Sequence, residues 1–272
     1  METNYIKCCD NVQGLRNLPD DCIDLTVTSP PYDNLRTYKG FAWDFESLAS
    51  ELYRVTKPGG VIVWIVNDAT VKGSETGTSF RQALHFKEIG FNLHDTMIWR
   101  KQSTTFPEIN RYYPCFEYML ILSKGRPKTV NLIADRKNKH AGEKVTMKER
   151  QPDGSFRLST GAKTGRRIKP YGVRLNVWDV NPAMGNKTGH PAVFPEHLVR
   201  DHIISWSNRG DTVLDPFMGS GTTAVACLKT GRNYIGFELS REYCEIAQQR
   251  IREETQKCKK KKPAPPASTT RA

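Results

Sequence analysis

The chain lacks the residue spacings that hold structural metals. Its seven cysteines are scattered, with no Cys-x-x-Cys pair, and its six histidines form no His-Glu-x-x-His arrangement. An odd, dispersed set of thiols argues against a disulfide framework and for a reducing compartment, and no metal is expected. No stretch approaches the roughly 18 apolar residues of a membrane span. The opening Met1-Glu2-Thr3-Asn4-Tyr5 shows no basic-then-apolar leader. Together these absences predict a soluble, cytoplasmic chain with no membrane partner. No internal repeat is visible either, which excludes a solenoid.

Acidic residues are also in short supply. Lys and Arg number 41 against 29 Asp and Glu, a net charge of +12, and the sequence pI is about 9.4. That excess points to a polyanionic partner, nucleic acid before an acidic membrane surface. The 272 residues suffice for one α/β domain with an insertion, and not for two large independent domains.

Short β-like runs alternate with helical stretches at both ends of the chain. Ile23–Val27 reads as a strand stopping at Pro30-Pro31. Apolar residues from Phe45 to Val55 follow helical spacing behind an Asp44 N-cap, and Pro58-Gly59-Gly60 ends that element. Strands are predicted at Val61–Val66, Thr96–Arg100 and Tyr118–Ser123, with a helix over Ser79–Ile89. Later come a helix over Pro195–Trp206, a strand at Thr212–Leu214, a helix from Thr222 to Lys229 and a strand at Tyr234–Phe237. A last helix starts at the Ser240 cap, with Tyr243, Ile246, Ala247 and Ile251 on one face. Between Arg126 and Arg174 basic residues crowd without apolar periodicity, which fits either a DNA-facing insertion or a poorly ordered basic loop. The tail from Lys257, charge-dense and Pro-rich, is expected to be disordered.

Two motifs carry chemistry. Asp215-Pro216-Phe217-Met218-Gly219-Ser220-Gly221-Thr222-Thr223 joins a strand to a helix. Glycines there admit a ligand to the backbone, and the helix start offers unpaired N–H groups. Glu238 ends the next strand, roughly 20 residues on, where an acidic group binds ribose hydroxyls in Rossmann-like sites. Read alone, such a turn also fits a dinucleotide fingerprint or a turn without ligand. The second motif, Thr28-Ser29-Pro30-Pro31-Tyr32, follows a buried strand and so lies at the carboxyl edge of the sheet. The Ser29 hydroxyl and the Pro30 carbonyl are two acceptors, and Tyr32 is a flat stacking face. That set suits the amino group of a planar base, although a rigid strand exit with Tyr32 merely packed has the same residues.

In this order, the two motifs closely resemble the β-class amino-group DNA methyltransferases over most of the chain. The resemblance implies an S-adenosylmethionine-dependent enzyme with a mainly parallel, doubly wound Rossmann-like sheet, a circularly permuted motif order and a basic target-recognition insertion. It implies catalytic roles for Ser29, Pro30, Pro31 and Tyr32. Cofactor contacts are implied at Asp10 (toward adenine), Asp215, Pro216, Phe217, Gly219, Ser220, Gly221, Thr222 and Glu238 (ribose). His190 and Pro191, within Asn186–His197, would enclose the methionine end. The run Arg54–Gly60 matches the helix and turn after the catalytic loop. Residues 1–125 would form the catalytic half, 126–180 the insertion, 181–256 the cofactor half and 257–272 the tail. DNA contacts are expected from Arg36 and Lys39 in the loop after Tyr32, and from Arg136, Lys137, Lys139, Arg166, Arg167 and Lys169.

An exocyclic amine is a poor nucleophile because its lone pair is delocalised into the ring. Hydrogen bonds to Ser29 and Pro30 would localise it for a direct displacement at the sulfonium methyl, on a base flipped out of duplex DNA. Pro114-Cys115 lacks the surroundings of a carbon-5 nucleophile. Amide and RNA methyltransferases with a similar Pro-Pro-Tyr turn place the cofactor motif first. An inactive DNA-binding module would show damage at Ser29, Tyr32 or Gly219, and these are intact. Within the family Ser at the first catalytic position favours the 4-amino group of cytosine, while the 6-amino group of adenine stays open. Double-stranded DNA is the expected partner, and the resemblance leaves room for a cognate restriction endonuclease and a homodimer in a bacterial or phage-infected cell.

Overall fold

The structure, a computed structural model, describes residues 1–31, 43–101, 110–146, 148–159, 165–181 and 195–261. In chain order the elements are β1 (Tyr5–Cys8), α1 (Asn11–Arg16), β2 (Ile23–Thr28), α2 (Phe45–Val55), β3 (Thr56–Val66), β4 (Thr70–Val71), β5 (Ser74–Glu75), α3 (Thr78–Glu88), β6 (Asn92–Arg100) and β7 (Phe116–Ser123). They continue with β8 (Arg136–Lys137), β9 (Lys148–Arg150), β10 (Phe156–Leu158), β11 (Tyr171–Gly172), β12 (Val177–Asp179), α4 (Glu196–Trp206), β13 (Thr212–Asp215), α5 (Thr222–Thr230), β14 (Asn233–Glu238) and α6 (Arg241–Lys261).

Eight strands form one sheet in the order β1-β14-β13-β2-β3-β7-β6-β12. Only the pairings of β7 with β3 and with β6 are antiparallel, so β7 alone runs against the other strands. The mainly parallel sheet expected from the sequence is therefore present. β3 shows why its sequence is an unbroken apolar run. Val61, Val63 and Ile65 pack with Leu198 and Ile203 of α4 and Ala224 of α5 on one face. Ile62, Trp64 and Val66 pack with Leu48 and Leu52 of α2 and Phe86 of α3 on the other. Successive strand residues point to opposite faces, and here both faces are covered by helices.

Asp44 caps α2, its carboxylate accepting from the Ser47 amide (3.1 Å) and hydroxyl (2.6 Å). The helix ends at Val55, and β3 starts at once at Thr56, earlier than the sequence implies. The Pro58-Gly59-Gly60 stretch is not a break, because its backbone pairs beyond β7. Gly59 N donates to the Lys124 carbonyl (2.7 Å) and Lys124 N to that of Gly60 (3.1 Å). A Cβ at Gly60 would stand 2.7 Å from Thr56 Cγ2 and 2.9 Å from the Lys57 carbonyl oxygen, so only glycine lets the strand pass.

The chain divides into two compact units, Met1–Asn131 with Asn176–Ala272, and Leu132–Leu175. The sheet belongs to the first. In the second, β9 pairs antiparallel with β10 and β8 with β11, and Lys144 bridges Arg167. Among its described residues only Ser159 is buried, which explains the missing apolar periodicity: backbone pairing, not a core, organises it. At the C-terminus α6 continues to Lys261, where the sequence places disorder from Lys257. The Lys run has good helix propensity, and cations suit a helix C-terminus. No helix among the described residues is long and apolar enough to cross a membrane.

Candidate active site

Strands β1, β14, β13 and β2 lie side by side and parallel, so their carboxyl ends meet at one edge. Thr28 ends β2 and Asp215 ends β13. The Thr28 hydroxyl donates to one oxygen of Asp215 (2.7 Å), which also accepts from the Phe217 amide (3.1 Å), and the Thr223 hydroxyl donates to the other oxygen (2.6 Å). Asp215 is buried, and burial pushes its carboxyl up to about 6 despite the three donors, with repulsion from Glu238 adding to the rise. Its carboxylate thus faces the protein as a brace beneath the turn. It ties the residue before Ser29 to the first turn of α5.

Above the brace the glycine turn is held from both sides. Gly219 (φ 51°) donates its amide to Glu238 Oε2 at 2.8 Å, and Ser240 N donates to Glu238 Oε1 at 2.8 Å. Burial raises the Glu238 carboxyl above its ordinary value, and the Ser240 and Gly219 amides oppose the rise. Gly221, at φ 83°, is the N-cap of α5, and a Cβ there would stand 3.0 Å from that of Ala247 on α6. From α6, Arg250 Nη1 donates to the Ser220 carbonyl (2.5 Å), the Ser220 hydroxyl (2.9 Å) and, longer, the Thr222 hydroxyl (3.4 Å). Burial lowers the Arg250 pKa, against the pull of Glu196 and Glu253. Pro216, Gly219, Ser220 and Thr222 are all buried.

Register places Cys8 opposite Glu238, and Cys9 N donates to the Glu238 carbonyl at 3.0 Å. Asp10 follows at the same edge and caps α1 through the Gln13 amide (2.9 Å). Phe217, partly buried, stands edge-on to Trp43 with ring centroids 5.0 Å apart. Pro30 is buried, and Ser29 and Pro31 are partly so. Of the residues singled out in the sequence, Ser29, Pro30, Pro31, Asp10, Glu238 and the Asp215–Thr222 turn thus gather at the carboxyl ends of adjoining strands. Tyr32, Arg36, Lys39, His190 and Pro191 lie outside the described residues. Arg136, Lys137, Lys139, Arg166, Arg167 and Lys169 are not buried and sit on the second unit.

The sequence reading missed Thr28, Arg250 and Trp43 as site residues. Thr28 could be suspected as a polar residue ending a buried strand. Arg250 falls on the α6 face that carries Tyr243, Ala247 and Ile251, and a cation on an apolar stripe asks for a partner. Trp43 precedes the Asp44 cap, where an apolar side chain often packs against the helix it introduces.

A family model described as DNA methylase, for N6 and N4 methyltransferases, matches residues 23–249. The orphan methyltransferase M.BamHII of Bacillus amyloliquefaciens is 56% identical over 246 residues, 87% of this chain and 91% of that protein. The type II methyltransferase M.HpaI of Haemophilus parainfluenzae is 29% identical over 257 residues, 90% of this chain and 73% of its own. Among solved structures, a DNA modification methylase of Thermus thermophilus in complex with S-adenosyl-L-methionine aligns with a TM-score of 0.62 at 24% identity, covering 92% of this chain and 95% of that one. The cytosine-N4-specific PvuII DNA methyltransferase shares the fold with a TM-score of 0.67 at 18% identity, over 95% and 92% of the two chains.

Proposed function

This chain belongs to the N6/N4 DNA methylase family and is an S-adenosylmethionine-dependent DNA methyltransferase; from that premise we propose that it methylates the 4-amino group of cytosine, at specific sites in duplex DNA, on a base flipped out of the helix. The observation that supports this reading best is the brace Thr28–Asp215–Thr223, which holds the Ser29-Pro30 turn against the glycine turn. In such a site the group that activates the amine and the group that delivers the methyl must be fixed relative to each other, since small misplacements cost large factors in rate.

The site fits the cofactor. Glu238 accepts an amide at each carboxylate oxygen, and each oxygen has a further lone pair for a ribose hydroxyl. Gly219 and Gly221 keep side chains out of the turn, Phe217 and Trp43 offer aromatic surface, and Asp10, at the same strand edge, would hold the adenine. By the family resemblance, His190 and Pro191 would contribute at the methionine end. Bound there, S-adenosylmethionine supplies an electrophilic methyl carbon. The protein's part is to make the amine a nucleophile. The Ser29 hydroxyl oxygen accepts one amine N–H and the Pro30 carbonyl the other, drawing the lone pair out of conjugation and aiming it. Pro31 stiffens the turn, and Tyr32 stacks on the flipped base, offsetting part of the few kcal/mol that unstacking costs.

Arg36 and Lys39 hold the backbone near the flipped nucleotide. Arg136, Lys137, Lys139, Arg166, Arg167 and Lys169 bind phosphates along the target, so affinity falls with salt. The likeness to an orphan methyltransferase supports a solitary enzyme, working without a cognate endonuclease. The test is Ser29→Ala. S-adenosylmethionine binding by calorimetry stays within about twofold, because no cofactor contact is removed, while methyl transfer falls by orders of magnitude, as loss of a transition-state acceptor requires. Parallel loss of binding and transfer would overturn the assigned division of labour.

A further inference from the structure

We infer that the β9–β10 ribbon of the second unit enters the major groove of the target duplex and reads it with one face, through Phe156 and Leu158. The inference rests on the duplex-DNA reading above and names the element that recognises the sequence. The register pairs Phe156 with Arg150, Arg157 with Glu149 and Leu158 with Lys148. Directly paired residues share a face, and successive residues alternate. One face therefore carries Phe156, Leu158, Arg150 and Lys148, and the other Arg157 and Glu149. Glu149 accepts the hydroxyl of Ser159 at 2.5 Å, the one buried residue described in this unit. Glu149 and Arg157 are exposed as well, so the two faces differ in chemistry and not in burial. On the face with the apolar pair Phe156 is 67% and Leu158 61% exposed.

The hairpin tip is built to keep its shape. Gln151 N donates to the Ser155 carbonyl (2.8 Å) and Gly154 N to that of Gln151 (3.0 Å). Asp153 Oδ1 accepts from both the amide (2.9 Å) and the hydroxyl (2.7 Å) of Ser155. Gly154 takes the left-handed conformation that the turn requires (φ 84°). Large apolar side chains held out in water on a fixed hairpin mark a contact surface. A second copy of the same face would set Lys148 and Arg150 against their own kind. The unit as a whole carries twelve Lys and Arg against four Asp and Glu, an excess of eight positive charges. That charge selects a polyanion. Strands about 4.8 Å apart make a ribbon that the major groove, about 12 Å wide, admits. On the floor of that groove the thymine methyl is the apolar partner for Phe156 and Leu158, while Lys148 and Arg150 suit guanine edges or phosphates.

The experiment uses the full chain, wild type and the variants Phe156→Ala, Leu158→Ala and Lys148→Ala/Arg150→Ala. Plasmid DNA free of methylation is treated with each protein and S-adenosylmethionine, and single-molecule sequencing reads the modified sites. Rates are then measured on short duplexes bearing the wild-type site, with thymine or with uracil, which lacks the methyl. Uracil slows the wild type at least about fivefold, the lower end for a lost base contact. Phe156→Ala and Leu158→Ala are slowed to a similar extent on thymine and show little further loss on uracil. Lys148→Ala/Arg150→Ala weakens binding and lowers the salt slope by about two. Unchanged site and rate in Phe156→Ala and Leu158→Ala, or indifference of the wild type to uracil, overturns the ribbon reading alone. A wild type that methylates no duplex overturns the proposed substrate, and this inference with it.

Discussion

Replacing Thr28 by valine removes one hydroxyl from a fully buried position and leaves the shape nearly intact. The hydroxyl donates to Asp215, so its worth depends on the charge of that carboxyl. Burial raises Asp215 from 3.8 to about 6, with Thr223, Thr28 and the Phe217 amide pulling down and Glu238 pushing up. Cys227, also near it, is held neutral by burial. Because the folded state binds this proton more tightly than the unfolded chain, stability falls as pH rises from about 4 to about 6 and is level above. At pH 8 the lost bond is one to a carboxylate, costing about 2 kcal/mol, and at pH 5 one to a largely neutral acid, costing about 1 kcal/mol. The difference of about 1 kcal/mol moves the Asp215 midpoint up by roughly 0.7 of a pH unit. Urea unfolding of Thr28→Val and wild type at pH 5 and pH 8 reads this directly. The acid limb of the methyl-transfer rate should move up with it, and Thr28→Ser, which keeps the hydroxyl, should restore both. An equal destabilisation at the two pH values would show that the hydroxyl does not act through the Asp215 charge.

Arg250→Leu removes the donor that ties Ser220 and Thr222 to α6. It should raise the KM for S-adenosylmethionine about tenfold or more, corresponding to one charged hydrogen bond, with Arg250→Lys recovering part of the loss. Glu238→Gln keeps an acceptor for the Gly219 or Ser240 amide and gives up charge toward the ribose. Calorimetry should show affinity for S-adenosylmethionine falling by about tenfold, with the fold unchanged by circular dichroism.

The motifs were legible because each lies within one short stretch, so local chemistry declares them. The Asp215–Thr223 turn and the Ser29-Pro30 strand exit stand where their residues place them. So does α2, announced by Asp44 and its apolar spacing. What escaped notice depends on contacts between distant parts of the chain. β1 is four residues long and becomes a strand only by pairing with β14, more than 200 residues away. The role of Thr28 exists only once β2 and β13 are neighbours. The role of Arg250 exists only once α6 is laid against the glycine turn. Pro58-Gly59-Gly60 reads as a break, since nothing local reveals that Lys124 supplies its backbone partners. The basic stretch shows no periodicity because its ribbons bury almost nothing, and only the register of β9 with β10 reveals which side chains share a face.

Whether Ser29 and Pro30 activate an exocyclic amine is read from the methylated product. Unmethylated DNA is incubated with the protein and S-adenosylmethionine, digested to nucleosides and analysed by mass spectrometry. N4-methylcytosine is the expected product. N6-methyladenine would keep the amino-group mechanism and correct the base, whereas 5-methylcytosine, or no methylated nucleoside at all, would contradict it.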